Sequence, residues 1–291
     1  MRVTESIRSS FARDAQADAA EALQRRARVA SSGLRVGAPS DDPAAFAAKM
    51  RMDDRLGRID SRATSATRAG DMLQLAEGAL ASASDVLVSA RELATRMSSG
   101  SVDAATRKSA AAEIRSHKAA LVGIANTRGP SGYVFSGSNT TTAPFATSGA
   151  FTGNDDVARV EIADGVFVIG NASGARAFTA TGGRDVFADL DALATALDTD
   201  DVSAIRTSLG NLESDHAQIV SSRITVGTQA GRLTSAADAL GSTKVALSRA
   251  RASEVESDPA EAYSALVEAQ AAYERNIAVT KRLLEISAIE R

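Results

Sequence analysis

Apolar residues recur along most of the chain with the three-and-four spacing that puts them on one side of a helix. In the opening segment Val3, Ile7 and Phe11 lie four apart, and Ala15, Ala19, Ala22, Leu23 and Val29 extend the stripe between Arg, Asp and Glu residues. This predicts one long amphipathic helix, ending where Ser31-Ser32-Gly33 supplies polar residues and a pliant backbone. Pro39-Ser40-Asp41-Asp42-Pro43 then opens another. Asp42 is the expected N-cap, because Pro43 at the first helical position gives up no needed N–H and presses the residue before it into extended geometry. Asp41 and Asp42 also oppose the positive end of the helix dipole, and a helix is expected from about Ala44.

Between Asp71 and Met97 the positions Leu73, Ala76, Leu80, Ala83, Leu87, Ala90, Ala94 and Met97 keep strict heptad alternation. Ser98-Ser99-Gly100-Ser101 interrupts it. A further helix carrying Ile114, Leu121, Ile124 and Ala125 runs to about Arg128, where Gly129-Pro130 stops it, so an antiparallel helix pair is expected. From Gly132 the period changes, and Val160, Ile162, Phe167 and Ile169 fall in short strand-like runs. In RVEIADGVFVI, Asp164-Gly165 suits a type I′ turn between strands that end at Ala163 and resume at Val166. Helical spacing returns at Val186, Phe187, Leu190, Leu193 and Leu197. After Asp198-Thr199-Asp200-Asp201 it resumes through Ile205, Leu209, Leu212, Ile219, Ile224, Leu233, Leu240 and Leu247.

Asp258-Pro259-Ala260-Glu261 combines an acidic cap, a first-turn Pro and a Glu three residues on, a variant of the capping box. The last helix has a seam of Tyr263, Leu266, Gln270, Tyr273, Ile277, Thr280 and Leu284, widened by Val279, Leu283 and Ile286. Ordering costs about 1–2 kcal/mol per residue, and a lone one-sided helix has nothing to bury against. The terminal helices are therefore expected to pair with each other, and their wide apolar faces to seek further copies. The fold expected is mainly α with a small β insertion: an elongated antiparallel helical bundle or coiled-coil rod with a β domain at its tip. Residues 1–40 and 257–291 would be terminal paired helices that order on assembly, 41–131 and 187–256 the helical rod, and 132–186 the β-rich part.

Composition narrows the function. Apolar residues make up 44% of the chain but aromatics only 4%, with no Trp, which suits thin helical layers better than a thick globular centre. A net charge of -3 with interspersed signs offers no footprint for a phosphate backbone, so nucleic acid is not an expected partner. Cys is absent, which excludes disulfide and thiolate chemistry. The first residues contain no apolar h-region and no apolar run is long enough for a bilayer, so neither a cleaved signal peptide nor membrane insertion is expected.

No catalytic, cofactor or metal constellation is expected either. Asp41 and Asp42 read as caps rather than a carboxylate pair, and Asp198, Asp200 and Asp201 lack the Gly and later Glu of a calcium loop. His117 and His216 stand alone on helices, and Ser136-Gly137-Ser138 lacks the residues of a nucleophile elbow. Arg25, Arg26 and Arg28 read as a solvated face. The candidate functional residues are therefore an assembly surface, Val3, Ile7, Phe11, Leu23, Val29, Tyr263, Leu266, Tyr273, Ile277 and Leu284, with caps at Asp42, Pro43, Asp258 and Glu261.

Three blocks carry a family resemblance. ASSGLRVGAPSDDPAAFA from Ala30 resembles the N-terminal signature of bacterial flagellins and their hook-associated relatives. GYVFSGSNTTTAPF from Gly132 resembles the opening of the β region in hook–filament junction members, and ASEVESDPAEAYSALVEAQAAYE from Ala252 the C-terminal helix of both groups. Pro39, Pro43 and the Tyr133-Val134-Phe135-Ser136-Gly137 block favour the junction members over flagellin proper. The resemblance implies export unfolded through the flagellar type III channel with a cytoplasmic chaperone. It also implies a place outside the cell, in a helical ring of identical copies between the hook-side junction protein (hook-associated protein 1) and the flagellin filament. A short filament flagellin is the alternative within the family, and a soluble coiled-coil signalling module the alternative outside it.

Overall fold

The computed structural model describes residues 2–179 and 183–289, with side chains described over 10–179 and 183–282. The chain divides into two compact units, Arg58–Thr243 and the pair of segments Met1–Gly57 and Lys244–Arg291. Seven helices and two small hairpins are present among the described residues: α1 (Arg2–Ser32), α2 (Pro43–Met97), α3 (Ala104–Ala125), β1 (Arg128–Gly129), β2 (Gly132–Tyr133), β3 (Arg159–Ala163), β4 (Val166–Ile169), α4 (Gly174–Phe178), α5 (Val186–Asp198), α6 (Val202–Val255) and α7 (Pro259–Ile289). The chain is thus mainly helical with a small β insertion.

The larger unit is built on the α2 heptad. All eight of its positions from Leu73 to Met97 are buried. Leu and Ala alternate there from Leu73 to Ala90, and the Ala positions let a partner backbone come close. That partner is α6, running antiparallel: Gly70 faces Leu233, Arg223 Nε meets Glu77 Oε1 at 2.7 Å, and Ser84 Oγ lies 2.9 Å from His216 Nε2. On α6 the buried residues Ile205, Leu212, Ile219, Val226 and Leu233 fall seven apart. The stripe expected through Ile224 is corrected here, since Ile224 is 64% exposed and Val226 holds the seam. A residue five after Ile219 lies roughly 140° round the helix from it, whereas one seven after lies within about 20°.

Helices α3 and α5 close the core as a second antiparallel pair. Arg107 is bonded to Asp200, Arg115 to Asp198, and Lys118 Nζ to Asp191 Oδ2 at 2.5 Å. Arg107, buried and unforeseen, also donates to the carbonyls of Met97 (3.0 Å) and Ser99 (2.7 Å), satisfying acceptors that the end of α2 leaves open. The acidic turn between α5 and α6 thus has ordinary tasks: two carboxylates pair with Arg, and Asp201 Oδ1 caps α6 through the Ala204 N–H at 3.0 Å.

The β insertion is organised by aromatics. Five of the eight Phe meet in one cluster, with Phe178 5.3 Å from Phe135, 5.5 Å from Phe145 and 5.9 Å from Phe187, and Phe151 5.2 Å from Phe145. A chain poor in aromatics therefore still builds one thick centre, by concentrating them. Asn126, at the end of α3, exchanges two hydrogen bonds with the Phe145 peptide (2.9 and 3.0 Å) and holds the loop there. Gly137, at φ +67°, admits Asn154, whose Oδ1 accepts from the Ser138 N–H at 2.8 Å; a Cβ on Gly137 would sit 2.0 Å from that oxygen.

Strands β3 and β4 pair as an antiparallel hairpin across Asp164-Gly165, with Ala163 opposite Val166. The turn is not type I′, which needs positive φ at both central residues. Gly165 has φ +71°, but Asp200 is the sole residue other than Gly with positive φ among the described residues. A register shift between Glu161 and Ala163 takes up the difference as a bulge.

The α6 register yields a direct test. Ile219→Ala removes a fully buried side chain and is expected to cost about 2–5 kcal/mol in urea unfolding, while Ile224→Ala should stay within about 0.5 kcal/mol.

Candidate assembly interface

The smaller unit ties the roots of the terminal helices together. Helix α1 ends at Gly33, whose φ of +70° suits a residue without Cβ and whose N–H bonds the Val29 carbonyl at 2.8 Å. The chain then runs briefly antiparallel to the end of α6. Arg35 N–H and Val36 N–H both donate to the Val255 carbonyl (2.8 and 3.2 Å), and Ser257 N–H donates to the Gly33 carbonyl at 2.9 Å. Val36, Ala45 and Val255 form a small buried core beneath, with Leu34 and Phe46 packed on it.

Polar residues of the SSGLRVGAPSDDP block fix this joint. Arg35 donates to the Glu254 carbonyl at 2.6 Å and lies 3.6 Å from Asp42 Oδ2. Asp41 Oδ2 accepts from the Ala38 and Gly37 N–H groups at 2.8 and 3.0 Å, and these bonds hold its carboxyl below the ordinary carboxylate range. Asp42 Oδ1 accepts from Ala45 and Ala44 at 3.0 and 3.1 Å at the start of α2, where Pro43 is the first residue. The Ala45 and Ala44 bonds, with Arg35 nearby, lower the Asp42 pKa as well. At the start of α7, Asp258 Oδ1 accepts from Ala260 at 2.7 Å and from the backbone N–H of Glu261 at 3.4 Å. Asp53 joins the two long helices within this unit, meeting Lys49 at 2.8 Å and Arg251 at 2.5 Å.

From this joint α1 and α7 pack along each other. Leu23 and Val29 on α1 and Leu266, Tyr273, Ile277 and Thr280 on α7 are half-buried. The pairing leaves much apolar surface open: among the described side chains none on α1 is fully buried, and on α7 Ala262 alone is. Phe11 is 77% exposed, Tyr263 and Val267 61%, and Val279 55%. Gln270, placed on the seam by its spacing, is exposed too. Val267, one turn beyond Tyr263, was not singled out from sequence, although its four-residue offset from a seam Tyr was the available signal. Val3, Ile7 and Leu284 lie in helical backbone, but their side chains fall outside the described residues, as do those of Leu283 and Ile286.

The joint thus aligns two helices, each of which leaves apolar side chains open to solvent. Residues 4–140 match the family described as the bacterial flagellin N-terminal helical region. The match lies in the N-terminal part of the chain and covers just under half of it. Flagellar hook-associated protein 3 of Escherichia coli is 31% identical over 117 residues, which cover 40% of this chain and 37% of that protein. Flagellin of Listeria monocytogenes is 34% identical over 97 residues, covering 33% of this chain and 34% of its own length. The chain thus spans about a third of the length of these curated relatives. The flagellar junction protein FlgL of Legionella pneumophila shares the fold with a TM-score of 0.58 at 17% identity, covering 72% of this chain and all of that one. The flagellin-family match takes in the joint from Ser31 to Pro43 and the whole α2 heptad.

The caps make the joint pH-dependent. Because the Asp42 pKa is lower in the folded than in the unfolded chain, its stabilisation is complete above the ordinary carboxylate range and disappears as pH falls through the lowered value. Asp42→Ala should lower the thermal midpoint at pH 7, and the gap to the native chain should narrow as the medium is acidified below the ordinary carboxylate range.

Proposed function

We propose that this chain is a structural subunit of the bacterial flagellum that joins hook to filament, in the manner of flagellar hook-associated protein 3. The observation that carries the reading is the pair of terminal helices, joined at one root and each left with apolar surface that its intramolecular partner does not cover. At about 25 cal/mol per Å² of apolar area, each strip buried against a further neighbour adds to what offsets the cost of ordering the helices. Copies of the chain would pack α1 and α7 side by side in a helical ring, with Phe11, Tyr263, Val267 and Val279 filling against neighbours. The ring would take the hook-side junction protein, hook-associated protein 1, on one face and the flagellin filament on the other. A cytoplasmic chaperone would cover the terminal helices before export through the type III channel to the cell exterior. The role is mechanical and needs no catalytic step.

The match to Listeria flagellin supports a second reading, a short flagellin that builds the filament itself. The two differ in what seeds growth. Purified chain that elongates into long filaments alone supports the flagellin reading; chain that adds a short cap only to hooks carrying hook-associated protein 1 supports the junction reading. In the second assay Val267→Lys should reduce incorporation at least tenfold with an unchanged thermal midpoint, because its side chain is already open to water in the free chain. Free chain should also exchange the amides of residues 10–32 and 259–282 much faster than assembled chain. Strong protection there before assembly would count against ordering on assembly.

A further inference from the structure

The α6 seam contains one carboxylate. Asp215 lies between Leu212 and Ile219 on the buried side of the helix; it is 0% exposed, and neither of its oxygens accepts a hydrogen bond. Its nearest cation is Arg184, whose Nε is 3.5 Å from Asp215 Oδ1. That guanidinium is already engaged: Nε and a terminal nitrogen bond both oxygens of Asp189 at 2.9 and 2.7 Å, and Asn211 braces the same carboxylate at 3.0 Å. Two carboxylates therefore compete for one cation.

The other groups around Asp215 do not relieve it. Asp185 caps α5 through the N–H groups of Phe187 and Ala188 and adds negative charge. His216 is hydrogen-bonded to Ser84 of α2. Gln218 is spent on the backbone, accepting from Arg184 N–H at 2.7 Å and donating to the Arg184 and Ala177 carbonyls at 3.0 and 3.1 Å. The segment leading into α5 is thus held on α6 by the Gln218 bonds to the Arg184 backbone and by the Asn211–Asp189 bond, beside an acid that accepts no hydrogen bond.

We propose that Arg184, Asp189 and Asp215 form a proton-operated latch, which holds the segment before α5 onto α6 while Asp215 is neutral and loosens it when Asp215 is charged. A neutral Asp215 leaves the trio balanced, one guanidinium to one carboxylate, and its O–H can be offered to Asp189. Ionised, it adds an uncompensated buried charge that must draw Arg184 away from Asp189 or admit water. Burial, with the Asp189 charge next, pushes the Asp215 pKa up to about 7, so the change falls in the range of external media. The sign is that of a carboxyl raised by folding. The folded chain holds the proton over a window in which the unfolded chain has lost it, so stability falls as pH climbs towards about 7 and levels off above.

The test is amide exchange of the intact chain at pH 5.5 and 8.5, corrected for intrinsic base catalysis. Protection of α5 is expected to drop at least tenfold at the higher pH, while α3 residues far from the cluster change less. Asp215→Asn should abolish that drop and raise α5 protection at pH 8.5. As a check independent of any variant, carboxyl NMR of the native chain should show Asp215 titrating near neutrality. A midpoint below about pH 5, or a pH-dependent drop in α5 that persists unchanged in a folded Asp215→Asn chain, would overturn the latch.

Discussion

The larger unit depends on one strip of side chains, Leu73, Leu80 and Leu87 alternating with Ala76, Ala83 and Ala90, closed against Ile205, Leu212, Ile219, Val226 and Leu233. A long helix has one stripe to bury, and most of the remaining surface of α2 and α6 faces water. The Ala positions bring the backbones together, and the Leu and Ile positions supply the apolar area that holds them. Everything added to this pair answers a need it creates. Helices α3 and α5 cover the sides of the seam, and Arg107 satisfies the carbonyls at the end of α2. The Phe cluster extends the buried core of the bundle into the insertion between α3 and α5.

The terminal helices show what the same periodicity does without such closure. Their stripes are as regular as that of α2, yet their burial stays partial, because two helices side by side can hide only the surfaces they turn to each other. What distinguishes them is how they are anchored. Val36, Ala45 and Val255, with the backbone bonds around Val255, fix where α1 ends and α7 starts, and away from this joint both helices have open faces. Rigidity at the root and incompleteness along the length are complementary properties in a chain with the assembly role proposed above.

Much of this was legible in sequence because its causes are local. The α2 heptad, the breaks at Ser98 and Asp198, and the carboxylate caps at Asp42 and Asp258 follow from residues within a turn or two of each other. Features that depend on which distant segments meet were not. Arg107 reads as one more charged helix residue until Met97 and Asp200 are brought to it. The Asp164-Gly165 turn was visible as a turn, but its type was set by the bulge that aligns Glu161 with Phe167. On α6, Ile224 outranks Val226 by hydropathy alone, and only the position of α2 selects the smaller residue. For the assembly surface, the helices were legible but the division of each face into paired and open parts was not. Leu266 and Tyr263 are three apart, and which of them turns inward is decided by α1.

Asp215 departs from the apolar pattern of α6. At most seam positions of α6 an apolar residue contributes burial, and a carboxylate there forgoes it and incurs a desolvation cost as well. A polar residue at one seam position favours one register, because a helix shifted by a heptad would carry the acid away from Arg184, its nearest cation, and leave it buried without one. The long alternation of Leu and Ala on α2 cannot do this alone, since successive heptads are nearly equivalent and a one-heptad slip would re-form most contacts. The cluster at Arg184 breaks that equivalence at the point where the insertion rejoins the bundle, so the geometry that strains one carboxylate is also what makes a single alignment of α2, α5 and α6 preferred.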